Sequence, residues 1–180
     1  LQRSAGYVDR QLEDLSNKEK LSAAYEQLVA RKSALNADMT TLSTRNEALR
    51  LSLSRRLNVA YAEVESEVLD LLHKDLPREE AFINARTIQF DFSANKLSVD
   101  NQSYFSASSR VILRNSFFVG LFGASTKDPS FRHLRLCILD SIEDKGMQPE
   151  RSHNFQRLVV AVSQAALSDH QVIFATSMIA

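Results

Sequence analysis

The sequence predicts an α/β lobe preceded by a long helix of the antiparallel coiled-coil type, with the helix over residues 1–80 and the lobe over 81–180. Two observations carry this. Leu21, Leu28, Leu35, Leu42 and Leu49 recur at a seven-residue spacing, which places one leucine per two helical turns on a single seam. After residue 85, short apolar runs of strand length alternate with helix-length amphipathic segments, the pattern of α/β layering. Composition agrees: 4 Gly and 3 Pro in 180 residues leave too few breakers for the many turns of a β-sandwich.

With the leucines at d, the a positions are Lys18, Tyr25, Lys32, Met39, Asn46 and Leu53. Lysine and asparagine at a weaken a seam while fixing its register and partner, so the pattern predicts a hairpin arm or a heterotypic pair rather than a symmetric zipper. A DNA-binding zipper needs a basic helix before the seam, and DRQLEDLSNKEK (9–20) is mixed in charge. A helix of an ordinary bundle is the plainer alternative. Neither Gly nor Pro interrupts residues 7–76, and Pro77 predicts the stop. Beyond Leu53 the apolar face broadens through Val59, Val64, Val68, Leu69, Leu71 and Leu72, as where a helix docks onto a globular lobe.

Within the lobe, RTIQFDFSANKLSVD (86–100) alternates around a turn at 93–95 and predicts a hairpin. SSRVILRNSFFVGLFGA (108–124) predicts a buried helix. LRLCILD (134–140) and QVIFAT (171–176) predict buried parallel strands. Between them, residues 150–167 place Phe155, Leu158, Val159, Val162 and Ala166 on one side of an amphipathic helix. Two central strands are few for such a lobe and imply part of a larger sheet.

The chain carries 22 basic and 22 acidic residues and a net charge of zero, which excludes a basic nucleic-acid-binding tail and an acidic disordered segment. One cysteine, Cys137, excludes an internal disulfide and a cysteine-built zinc site, and its apolar strand predicts an inert core thiol. No apolar run reaches the roughly 20 residues of a membrane span, and the first residues have no apolar signal core. The expected location is cytoplasmic, without a membrane partner. The sequence begins at Leu1 and not at Met, so it is expected to be part of a longer protein.

Three segments carry candidate chemistry. Tyr104–Arg110 (YFSASSR) is a small-residue turn entering a helix, where backbone N–H groups and hydroxyls favour an anion. LRLCILDS presents Asp140 at the C-terminal end of a strand, the edge at which open α/β sheets bind ligands. A carboxylate there suits Mg²⁺. QVIFATS ends in Thr176 and Ser177 at the same kind of edge. Arg132, Arg135 and Arg151 are phosphate or nucleic-acid candidates, with solvated surface arginine as the default. His73, His133, His153 and His170 show no metal-ligand spacing, and no GxSxG elbow supports a serine triad.

In this order, behind a coiled coil, these segments resemble the C-terminal half of an ABC-type ATPase of the SMC, RecF and RecN kind. Phe105-Ser106-Ala107-Ser108-Ser109 stands at the LSGGQ signature, with Ser106 at the signature serine and Ala107 and Ser108 replacing two glycines. Leu136-Cys137-Ile138-Leu139-Asp140 matches Walker B, with Asp140 at the Mg²⁺-linked position. The resemblance implies ATP and Mg²⁺ as cofactors, with Ser106, Ala107, Ser108 and Ser109 as nucleotide-binding residues. It also implies head-to-head pairing with a second copy, and DNA repair, maintenance or defence as the setting, with DNA as a partner.

The departures from the family are specific. Ser141 takes the place of the catalytic glutamate, leaving Glu143 and Asp144 as nearby substitutes. Ser177 takes that of the switch histidine, and His170 precedes the strand at its wrong end. The expected catalytic residues are therefore Glu143 and Ser177. No GxxxxGK[ST] loop is present, and GLFGASTKD (120–128) has the wrong spacing. The phosphate loop is then expected in an N-terminal half of the same protein. The alternative function is structural: a coiled-coil assembly protein whose lobe derives from an ATPase but works without nucleotide.

Overall fold

The computed structural model describes residues 2–143 and 145–179. The chain divides into two compact units, Leu1–Arg55 and Arg56–Ala180. Helix α1 (Gln2–His73) is 72 residues long and ends four residues before Pro77. In the first unit it is a lone helix, and every leucine of the heptad seam is open to solvent, from 54% exposed at Leu35 to 72% at Leu21. Isolated helices draw little stability from propensity alone.

The second unit is a mixed helix-and-strand lobe. Its core contains the C-terminal turns of α1, where Val64, Val68, Leu71 and Leu72 are buried. Leu69 is half-buried against them, while Val59 remains 51% exposed and takes no part. A single helical turn, α2 (Glu80–Ile83), follows and buries Phe82. Strands β1 (Ile88–Asp91) and β2 (Lys96–Val99) form the expected hairpin, in antiparallel register with Phe90 opposite Leu97. Its turn is held by Asp91, whose carboxylate accepts from the backbone and hydroxyl of Ser93 and from Ala94 N. Asn95 closes the turn at φ +48°, a conformation asparagine tolerates.

Helix α3 (Ala107–Lys127) crosses the core with Ile112, Val119 and Phe122 buried. Gly120 permits the closest approach to α1. A Cβ there would lie 2.5 Å from Val68 Cγ2 and 3.0 Å from Val68 N, so only hydrogen fits.

Strand β3 (Leu136–Asp140), helix α4 (Pro149–Gln164) and strand β4 (Gln171–Ala175) complete a β-α-β unit in which β3 and β4 pair in parallel, Asp140 opposite Ala175. Phe155 and Val159 bury the inner face of α4, with Leu158 and Val162 half-buried beside them. Ala166 lies beyond the end of that helix.

One expectation needs correction. The two strands were expected to be buried on both sides, yet only Cys137 and Leu139 of β3 are covered, by the α3 side of the lobe. Ile138 is 63% exposed and Ile173 44%. Strand side chains alternate, and the described residues supply packing for one face only. No helix among the described residues is long and apolar enough to cross a membrane.

Candidate functional site

The candidate site is assembled at the C-terminal end of β3. Asp140 is the last residue of that strand and is exposed. Its Oδ1 accepts from Ser141 Oγ at 3.1 Å. Ser141 turns the chain at φ +50° and donates its N–H to Ala175 O, so the chain leaves the sheet at that residue.

Glu143 and Ser177 are brought together. The Glu143 carboxylate accepts from Ser177 N at 2.5 Å, Ser177 Oγ at 2.8 Å and Thr176 Oγ1 at 2.9 Å. Partial burial opposes ionisation, but these bonds and one from its own backbone N–H outweigh it. They hold the carboxyl at about 2, against an ordinary value of 4.5. Glu143 therefore ties the segment after β3 to the segment after β4. With its lone pairs engaged and so low a pKa it is a weak base, and general-base work would require release of Ser177. Asp144 lies outside the described residues.

This clamp carries a pH dependence. A carboxylate whose pKa is depressed by folding contributes stability that is complete above about 4.5 and is lost as pH falls toward about 2. Glu143→Gln is expected to lower the denaturation midpoint at pH 7, and the gap from the native chain should shrink progressively between pH 4.5 and 2. Denaturant titrations at pH 7, 4 and 2.5 measure it.

Ser106 is the N-cap of α3: its hydroxyl oxygen accepts from Ser109 N at 3.2 Å. That leaves its O–H as a donor, with the N–H groups of Ala107 and Ser108 in the first turn, where no intrahelical acceptor exists. Ser106 and Ala107 are exposed, Ser108 is half-buried and Ser109 buried.

The feature that sequence reasoning missed lies beneath them. Arg151, expected to be a solvated arginine by default, has a side chain only 4% exposed. Its Nε and Nη2 grip the Asp75 carboxylate, itself 3% exposed, at 2.5–3.1 Å. Its Nη1 reaches Ser109 Oγ at 3.2 Å and Ser108 Oγ at 3.4 Å. Arg151 sits in the first turn of α4, so it joins the N-termini of α3 and α4 to the segment just after α1. Helix α4 begins nine residues after Asp140. No local signal marks this contact, since Asp75 and Arg151 are 76 residues apart.

Arg135 is also engaged, donating Nε–H to Ser125 O at 3.1 Å, whereas Arg132 is exposed. Three of the four histidines are hydrogen-bonded into the fold. His73 Nε2 lies 2.8 Å from Ala85 O, and His133 Nδ1 accepts from Arg135 N. His170 Nδ1 donates to Ser168 O, which leaves Nε2 to accept from Ser163 Oγ at 2.8 Å. Cys137 is buried, and desolvation raises its pKa. Among the described residues no three His, Cys, Asp or Glu side chains gather to hold a metal ion. Asp140 as a single exposed carboxylate suits Mg²⁺ bound mainly through a ligand's phosphates and water. No protein-family model matches the chain, and no curated protein matches its sequence.

Proposed function

We propose that this chain is the C-terminal part of an SMC/RecN-like ABC ATPase head with its coiled-coil arm, binding ATP between two heads. The observation that carries the reading is the Ser106-capped start of α3, tied through Arg151 to the start of α4, in a lobe whose parallel β-α-β unit ends its first strand in an exposed Asp140. The open face of the sheet at Ile138 and Ile173 and the open leucine seam of α1 support a missing half that supplies further strands and a pairing helix. That half would carry the phosphate loop.

In this reading the Ser106 hydroxyl, capping with its oxygen, donates its proton to a terminal phosphate oxygen, and the Ala107 and Ser108 N–H groups add to the positive end of α3. Asp140 would hold Mg²⁺. When bound, Mg²⁺–ATP supplies the phosphoryl group transferred to water. Thr176 and Ser177 keep Glu143 in place at the same edge.

The test uses the full-length protein. Ser106→Arg is expected to block ATP-dependent head pairing by placing a bulky cation at the cap. Asp140→Asn is expected to weaken Mg²⁺–ATP binding at least tenfold while leaving Mg²⁺-free binding nearly unchanged. Sedimentation with and without ATP, and calorimetric titration, read both. Unchanged pairing and affinity overturn the proposal.

The assembly reading is favoured by a different observation, the saturated hydrogen bonding of Glu143 beside a serine at position 141. It predicts stable association through Leu21–Leu49 that nucleotide does not alter, and an upstream chain without a phosphate loop.

A further inference from the structure

A cavity of about 430 Å³ lies between the β1–β2 hairpin and α3. That volume falls within the range of about 300–1,000 Å³ typical of ligand pockets. Phenylalanines form a connected series along it: Phe90 and Phe117 have ring centroids 5.0 Å apart, Phe92 and Phe117 6.0 Å, and Phe117 and Phe118 5.9 Å. Two of these rings are not core residues. Phe92 is 63% exposed at the hairpin turn and Phe118 is 43% exposed on α3.

Three cations line the cavity, Lys96 from β2 and Arg110 and Arg114 from α3. Arg110 and Arg114 are one helical turn apart and both line it. Arg114 also lies over the Phe118 ring, 5.7 Å from its centroid. Among the described residues neither arginine has a carboxylate within 4.0 Å. The acid present, Asp91, is turned to its own turn by Ser93 and Ala94. The wall therefore presents flat exposed rings beside two uncompensated guanidinium groups.

We propose that this cavity binds a nucleotide unit of single-stranded nucleic acid, its base stacked on Phe92 and its phosphate held by Arg110 and Arg114. Exposed aromatic platforms beside arginines are what an unstacked strand requires, because every base offers a π-face and every linkage a negative charge. A duplex, with its bases already stacked inside, gains only the phosphate contacts. An acidic peptide would use the arginines but gain less from two open rings. The lining reaches Ser103 and Phe105, just ahead of the Ser106 cap, but includes neither Ser106 nor Asp140.

The test is fluorescence anisotropy of a labelled 20-nucleotide oligothymidylate titrated with the full chain at 50 mM salt. Saturable binding is expected. One neutralised phosphate predicts that raising salt fourfold weakens it about threefold. Arg110→Glu with Arg114→Glu should abolish binding, and Phe92→Ala should weaken it roughly 5- to 150-fold. All three residues are exposed or at the surface of α3, and unchanged circular dichroism establishes that the variants fold. Unlabelled single strand should compete better than duplex of equal length or than thymidine monophosphate. The proposal is overturned by absence of saturable binding, by binding that survives Phe92→Ala undiminished, by preferred competition from duplex or free nucleotide, or by tighter binding of a glutamate- and tyrosine-containing peptide.

Discussion

Replacing Arg151 by alanine is expected to destabilise the Arg56–Ala180 lobe by about 3–5 kcal/mol, because it leaves the Asp75 carboxylate buried without its partner. Against a typical total stability of about 5–15 kcal/mol, that loss removes a large share and unfolds a marginal lobe. The damage comes from the orphaned charge more than from the attraction itself. The double variant Arg151→Met with Asp75→Leu should therefore regain most of the stability, since an apolar pair of similar volume is often neutral. Lysine at 151 should not rescue, because a single ammonium cannot serve Asp75 and both serines in the same plane. Urea denaturation of the four proteins measures this. If the single variant loses less than about 1 kcal/mol, the pair is not buried as described. The double variant also separates stability from function: it restores the fold but leaves the Ser108 and Ser109 hydroxyls without their anchor. In the full-length protein it should stay folded and lose ATP-dependent pairing, if the start of α3 is the contact surface proposed.

Phe122→Ala is the second large effect expected, at about 3–5 kcal/mol. Phe122 is 2% exposed in the middle of α3, and its ring meets the edge of His170 with centroids 5.4 Å apart. The deletion removes a whole ring from a site enclosed by fixed backbone, so the cavity cannot collapse fully. It also loosens His170, whose two ring nitrogens link Ser163 at the end of α4 to the Ser168 carbonyl ahead of β4. Phe122→Leu should cost less than half as much. Thermal and urea unfolding of the two variants provide the comparison, and equal losses would show that packing around the ring is not what matters.

The elements of the lobe were legible because each has a local cause. Alternation around an Asx turn at Asp91 marks the hairpin, and the run from Val111 to Ala124 marks α3. A proline at the start of α4 and a preceding strand that ends in aspartate mark the β-α-β unit. Ser106 was legible within a turn entering a helix and Asp140 as a strand end for the same reason. The partners were not legible. Arg151 could not be told from a surface arginine, because burial of a long charged side chain depends on a carboxylate 76 residues away. Glu143 and Ser177 were each singled out as candidates, yet nothing in their spacing of 34 residues indicated that one holds the other. The arginine-phenylalanine face of α3 was read as core, since periodicity places Phe117 inward but leaves the use of Phe118, Arg110 and Arg114 open.

By itself, the sequence determined the long helix, the seam of leucines, the hairpin, the order of the later helices and strands, and the residues that end them. These follow from side-chain period, caps and breakers, all of which act over a few residues. Only the tertiary structure decided that Arg151 is buried under the start of α3, and that β3 and β4 have one covered face and one open. Those outcomes depend on which distant surfaces meet, and burial, ion pairing and pKa are properties of the meeting and not of either segment alone.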